Sequence, residues 1–321
     1  MDRPLTAVLL AGTLRPSPLR EALDVPALCL PMGSEGTVLD AWLRALAGID
    51  GLHDVRIVVN TEHDVQAIES CHQRGGRSRA ADDARGAVRG IAEPASWRGA
   101  GGILRDVTGD LEEEAIVIVI EANALPPASL APLRDAWRDD RSGVVGVCGA
   151  DEPAGVYAFA RRTFGMVPPV GYFDLKEQFL PALAGDGVAV GAARVGARLL
   201  RLFDRGEYLA ALRESLSSVE DGVRSIRLSP QASVSSSAVL DGRCIIEDGV
   251  LIEDGAVVHD SVLLSGATIG GGAIISQSIV GPLAAITARR EVIRSIVPGA
   301  PARVAPPAAI PAADRTGVAG S

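Results

Sequence analysis

Lysine is almost missing from this chain: Lys176 is the only one among 31 basic residues, and the rest are arginine. Together with the abundance of Ala, Gly and Val, this reads as a bias of coding composition. Cysteine and histidine are sparse as well. Cys29, Cys71, Cys148 and Cys244 lie far apart without paired spacing, and His53, His63, His72 and His259 build no ligand motif with them, so reduced thiols and no zinc are expected. No stretch reaches the roughly 18 consecutive apolar residues that a membrane span requires. Positive charge is also short, with a formal net charge of −9 and no basic stripe interleaved with aromatics, which argues against a nucleic-acid surface. The start, MDRPLTAVLLAG, places an acid beside its early Arg and runs straight into a strand-like stretch. It does not read as a secretory signal, and a cytoplasmic location is expected. What is present is apolar material, 47% of 321 residues, enough for two packed cores.

From Leu228 onward an aliphatic residue returns every six positions, at Leu228, Val234, Leu240, Ile246, Ile252, Val258 and Leu264. Four residues after each stands a small or β-branched one, at Ala232, Ala238, Cys244, Val250, Ala256, Val262 and Thr268. Six residues of helix advance by roughly 600°, which smears the recurring positions around the axis, whereas an even period keeps them on one face of a strand. The segment is therefore predicted to be β. Asp248 with Gly249 and Asp254 with Gly255 mark corners, because these residues tolerate unusual dihedrals. Short strands with a corner in every hexad make a solenoid whose rungs stack about 4.8 Å apart. The pattern resembles the hexapeptide-repeat family, which implies a left-handed parallel β-helix with three hexads per coil over residues 228–300. That family includes acyltransferases that work through a histidine. His259 is the candidate here, and its outward place beside Val258 reads as a solvated surface residue. The Ala/Pro/Gly-rich residues 301–321 read as a loose tail.

Residues 1–212 read differently, with 213–227 as a linker to the solenoid. Short apolar runs at Ala7 to Ala11, Val55 to Val59, Ala115 to Ile120 and Val144 to Val147 alternate with helix-like stretches such as Thr37 to Ala47 and Ser129 to Arg138. This is the order of an α/β domain with a mostly parallel, Rossmann-like sheet. Ligands in such sheets bind beyond the carboxyl ends of strands, which points to the loop from Gly12 and the loop after Ile120. The five arginines from Arg74 to Arg89, set among Gly, Ala and Asp, read as a loop rather than a binding patch.

AVLLAGTLRPSPL, with PALCLPMG after it, resembles the nucleotide-binding signature of sugar-1-phosphate nucleotidyltransferases. EPASWRGAGGIL, from Glu93, is similar to the family's base-contacting segment, and AIVIVIEAN, from Ala115, to the strand that ends in a metal-holding aspartate. AGVYAF, YFDLKEQFLPAL and EYLAAL resemble the sugar-side elements and the helix that precedes the family's own β-helix. The resemblance implies nucleotide contacts at Leu10, Ala11, Gly12, Gly99, Ala100 and Gly101, with the start of a helix near Ile103 suiting an anion or base. It implies a phosphate-contacting catalytic arginine at Arg15 and sugar contacts at Lys176 and Glu177.

In that family two aspartates hold Mg²⁺ and a lysine steadies the phosphates. Here the lysine position falls near Val25 and Pro26, the first aspartate position on Asn123 and the second near Arg201. The glycine-rich loop is about two residues short of the family's, and the stretch from Val147 to Ala154 is shorter than the family's hairpin. A shifted alignment offers Glu121 and Asp204 as replacement acids. Two readings follow from the resemblance: a relative weakened in catalysis that binds a nucleotide or nucleotide sugar, and an active enzyme with Mg²⁺ and a divergent site. An acyltransferase working through His259 is a third. Partners expected by resemblance are a nucleotide or nucleotide sugar and either a second copy of the chain or a related subunit, with no nucleic acid and no membrane.

Overall fold

The computed structural model describes residues 4–12, 17–32, 36–75, 87–93, 97–138, 143–216 and 226–300. The middle of the arginine-rich stretch, 76–86, and the tail 301–321 lie outside them. The N-terminal part contains β1 (Leu5–Leu10), α1 (Pro18–Leu23), α2 (Val38–Ala47), β2 (Leu52–Val59), α3 (Glu62–Gly75), β3 (Ala87–Ala92) and α4 (Gly99–Val107). It continues with β4 (Ile116–Glu121), α5 (Ala131–Arg138), β5 (Gly143–Cys148), β6 (Glu152–Ala160), α6 (Leu180–Gly185), β7 (Val190–Gly196) and α7 (Arg205–Leu216).

The seven strands form one mixed sheet in the order β3-β2-β1-β4-β6-β5-β7, with β6 antiparallel to both neighbours. The central strands are apolar at nearly every position because both faces are covered. Along β1 and β4, Ala7, Leu9, Ile118 and Ile120 feed one core while Val8, Val117 and Val119 feed the other. The chain builds β1 to β3 outward on one side, then returns to lay β4 against the other side of β1. That reversal opens a crevice beyond the carboxyl ends of β1 and β4, where open α/β sheets bind ligands. Local signals hold the flanking helices. In α2, Thr37 accepts from the Asp40 amide and Asp40 Oδ2 accepts from the Thr37 amide at 2.7 Å, a reciprocal cap.

Residues 226–300 wind as a left-handed parallel β-helix of three narrow sheets. Its first strand, Ile226–Leu228, begins just ahead of the repeat read from sequence, and its last is Ile296–Val297. Ile246, Ile252 and Val258 point into the solenoid core at six-residue spacing, and then the spacing breaks. Leu263, not Leu264, takes the next inward place, followed by Ile269, Ile275, Val280, Ile286 and Val292. Cys244 pairs with Ile226, 18 residues apart, but Val262 pairs with Ile245 and Ile279 with Val262, each 17 apart. Each later coil is therefore one residue short of three hexads.

The shortened corner has a physical basis in serine. Asp260, Gln277 and Arg294 turn there with positive φ, and the next residues are Ser261, Ser278 and Ser295. The Ser278 amide donates to Ser261 Oγ at 3.0 Å, and the Ser295 amide to Ser278 Oγ at 3.1 Å. Ser261 and Ser278 are fully buried, so each hydroxyl pairs a backbone amide that a tighter corner would otherwise leave unpaired.

The slip also redirects Val262 and Leu264. With Ile245 and Ile279 they face outward and join the core of the α/β domain, which ties the solenoid to the sheet's helices. Polar contacts reinforce this seam. Arg227 donates to the Gly36 carbonyl at 2.9 Å, and Arg205 to the Gln277 carbonyl at 2.5 Å. On α7, which runs through Leu216 into what sequence reads as linker, buried Tyr208 donates to the Pro31 carbonyl at 2.7 Å.

Candidate functional site

Two cavities that share Leu10 open beyond the strand ends. The larger, about 330 Å³, is lined by Ala11, Arg20, Asn60, Asp64, Asn123 and Phe203 among others. The smaller, about 220 Å³, is a slot between Gly12, Val58, Glu93, Gly99, Ala100, Ile103 and Asp174. Of the residues that resemblance assigned to the nucleotide, Leu10, Gly12, Gly99 and Ala100 meet in the slot and Ala11 lies in the larger chamber. Arg15 lies outside the described residues.

Arg20 is the cation of the chamber. It is delivered by α1, whose start follows from sequence: Ser17 accepts from the Arg20 amide at 3.2 Å and Pro18 occupies the first helical position. Its Nη2 lies 2.6 Å from Asp64 Oδ1, and its Nη1 3.2 Å from the exposed Asp24 carboxylate. Asp64 is itself fixed by Thr61, whose hydroxyl donates to Oδ2 at 3.0 Å and accepts from the Asp64 amide at 3.1 Å. Sequence reasoning passed over Arg20. The Ser-Pro helix start, two residues upstream, is the signal that puts it at the strand ends.

On the opposite side β4 ends at Glu121. Lys176 Nζ sits 2.9 Å from its Oε2, and the Tyr157 hydroxyl donates to its Oε1 at 3.2 Å. Burial, with the Glu121 carboxylate alongside, pushes the Tyr157 phenol well above its ordinary range and keeps it a donor. Lys176 is positioned by Asp174, which accepts from the Lys176 and Glu177 amides at 2.7 and 2.8 Å. Glu177 is exposed and lines neither cavity.

The segments carrying the two implied metal positions run side by side. The Asn123 carbonyl accepts from the Leu202 amide at 2.8 Å, and Ala124 bridges Arg201. One implied position thus falls on Asn123, which lines the larger chamber, and the other near Arg201, which is exposed and lines neither cavity. Of the replacement acids, Glu121 is held by Lys176, while Asp204 accepts from the Glu207 amide at 2.9 Å to cap α7. Among the described residues no group of three or more His, Cys, Asp or Glu side chains converges. A hard divalent cation at this position wants carboxylate oxygens, and the residues present do not fit Mg²⁺.

The slot owes its shape to close backbone approach. A side chain at Gly99, which has φ +69°, would put Cβ 2.7 Å from the Phe173 carbonyl oxygen, and one at Gly12 would meet Asn60 Oδ1 at 2.3 Å. The Gly101 and Gly102 amides both donate to that Phe173 carbonyl, at 2.9 and 3.3 Å. Two of the amides at the helix start that sequence offered to an anion or base are thereby taken by the chain's own Phe173 carbonyl. Buried Arg98 locks this arrangement, donating to Asp106 at 2.8 Å and to the Gly171 and Pro168 carbonyls at 2.7 and 3.1 Å. At the inner wall stands Glu93, whose Oε1 is shielded from solvent and has no hydrogen-bond partner among the described residues. Burial pushes its carboxyl upward.

His259 lies far from this crevice on the solenoid's outer face, with Nδ1 3.0 Å from Asp241 and Nε2 3.6 Å from Asp260. It remains partly exposed, as its outward position in the repeat implied. No described helix is long and apolar enough to cross a membrane.

No curated protein matches the chain in sequence. Residues 223–312 match the family model described as the GMPPB C-terminal domain, so this stretch is similar to that domain.

Proposed function

We propose that this protein binds a nucleotide or nucleotide sugar across its strand-end crevice without turning it over, as a non-catalytic relative of sugar-1-phosphate nucleotidyltransferases that acts alone, as a homo-oligomer or beside a related subunit. The base occupies the slot beside Gly99 and Ala100, the phosphates lie over Leu10 to Gly12 toward Arg20, and the sugar side faces Lys176. One observation supports the loss of turnover: the paired segments at 123–124 and 201–202 carry Asn123 and Arg201 at the positions that resemblance assigns to the two metal-holding aspartates. The active alternative needs Glu121 freed from Lys176 and Asp204 from the start of α7.

Isothermal titration with nucleoside di- and triphosphates, with and without Mg²⁺, tests the reading. Saturable binding that Mg²⁺ leaves unchanged is expected, with affinity roughly 10-fold weaker in Arg20→Ala from loss of a charge-assisted phosphate contact. Binding that requires Mg²⁺, or no nucleotide binding at all, overturns it.

A further inference from the structure

The cysteines of this chain are not equivalent. Cys148 on β5 and Cys244 in the solenoid are buried, and the Cys244 thiol is spent on the Asp241 and Val258 carbonyls. Cys29 and Cys71, far apart in sequence, meet at one joint of the sheet domain. Cys29 ends the short turn Ala27–Cys29 that packs against α3, and its thiol donates to the Ala67 carbonyl at 3.6 Å, one helical turn before Cys71. Cys71 is buried on α3, and its thiol reaches the Thr37 hydroxyl at the start of α2 at 3.5 Å. The two sulfurs lie within hydrogen-bonding reach of each other. Cys29 is only partly buried, so the pair is open to a small reagent from that side.

Such a contact changes both groups. The Cys29 thiol can turn from Ala67 and donate to a Cys71 thiolate, which holds the Cys71 thiol below its ordinary range against the opposing effect of burial. The same contact pushes Cys29 upward. The pair thus gives up one proton readily and keeps the second, leaving one thiolate to attack and one thiol to resolve. We infer that Cys29 and Cys71 are a redox site that closes to a reversible disulfide and joins two walls of the larger chamber, which Pro26 and Ala27 line on one side and Asp64 of α3 on the other. The reduced thiols expected from sequence are its resting state. The oxidant is a peroxide. The thiolate sulfur attacks one peroxide oxygen, the O–O bond breaks, and hydroxide leaves a sulfenic acid behind. The partner thiol then attacks that sulfur, the S–O bond breaks and the S–S bond forms. Two electrons pass from sulfur to peroxide, and the two thiol protons turn the two departing hydroxides into water. A dithiol reductant reverses the step by exchange.

The experiment treats the reduced, folded full chain with hydrogen peroxide, counts the thiols that remain after denaturation, and maps the peptides by mass spectrometry. Of the 4 thiols, Cys29 and Cys71 are expected to be lost together to one intramolecular bond while Cys148 and Cys244 stay reduced, and dithiothreitol is expected to restore all of them. This readout needs no variant and does not depend on whether the protein binds a nucleotide. In Cys29→Ser no intramolecular bond is expected, and one that forms all the same overturns the assignment. So does survival of every thiol in the wild-type chain, a bond that pairs any other cysteines or joins two chains, or oxidation that dithiothreitol does not reverse.

Discussion

The solenoid and the sheet domain store their information differently. In the solenoid, a similar small problem is solved on successive coils: an aliphatic residue inward, a small one beside it, and a corner residue with positive φ such as Gly249, Gly255, Gly266 or Gly272. In the sheet domain the crevice is assembled from single residues, each brought by a different element, and the exchange of one residue changes what the site can hold. A repeat averages over its errors, whereas a site built from single residues records each of them.

Predictions that sharpen this contrast run from stability to its fine structure. Val258→Asp places an unpaired carboxylate in the middle of the solenoid core and is expected to cost about 4 kcal/mol or more, read as loss of the cooperative urea transition. In the sheet domain, Arg56 is buried between Asp54, Asp110 and the Val107 carbonyl. Arg56→Ala leaves the Val107 carbonyl and the part-buried Asp54 carboxylate without this donor and is expected to cost about 2–3 kcal/mol by the same measurement. A cost below about 1 kcal/mol in either variant would break the claim that both regions depend on a packed, paired interior.

Smaller effects probe the corner. Ser278→Ala removes the acceptor of the Ser295 amide and is expected to cost about 1–3 kcal/mol. A neutral result would mean that the 17-residue coil does not depend on its serines. The smallest effect comes from Glu247, whose carboxyl burial pushes upward against the lowering influence of Ser265 and Arg227. A carboxyl raised in the folded state favours the protonated form, so its contribution is present at acid pH and is lost as pH rises from the ordinary carboxyl range through the raised value. Glu247→Gln is expected to flatten that decline by about 1 kcal/mol or less in urea midpoints taken between pH 4 and 7. A variant with the wild-type slope would remove Glu247 from the account.

The difference in storage also explains what could be read in advance. Periodicity gave the solenoid, and apolar runs gave β1, β2, β4 and β5. Antiparallel β6 and the parallel edge strand β7 were left unassigned; β7, Val190–Gly196, is buried only at alternate positions. The one-residue slip after Val258 was hidden because Leu263 and Leu264 are both aliphatic, and only the docked sheet domain decides which faces inward. In the crevice, the slot residues Gly12, Gly99 and Ala100 were legible through motif resemblance. Arg20 was not singled out, because its partner Asp64 lies on an element 44 residues away. The Lys176–Glu121 pair spans 55 residues and escaped for the same reason.

Pyrophosphate release, followed continuously with each nucleoside triphosphate, Mg²⁺ and a panel of hexose 1-phosphates, puts the central claim to the most direct test. With Asn123 and Arg201 at the positions that resemblance assigns to the metal ligands, release is expected to stay at the level of the protein-free control in preparations that bind nucleotide. Release that depends on Mg²⁺, saturates with a sugar phosphate and disappears on chelation would contradict it.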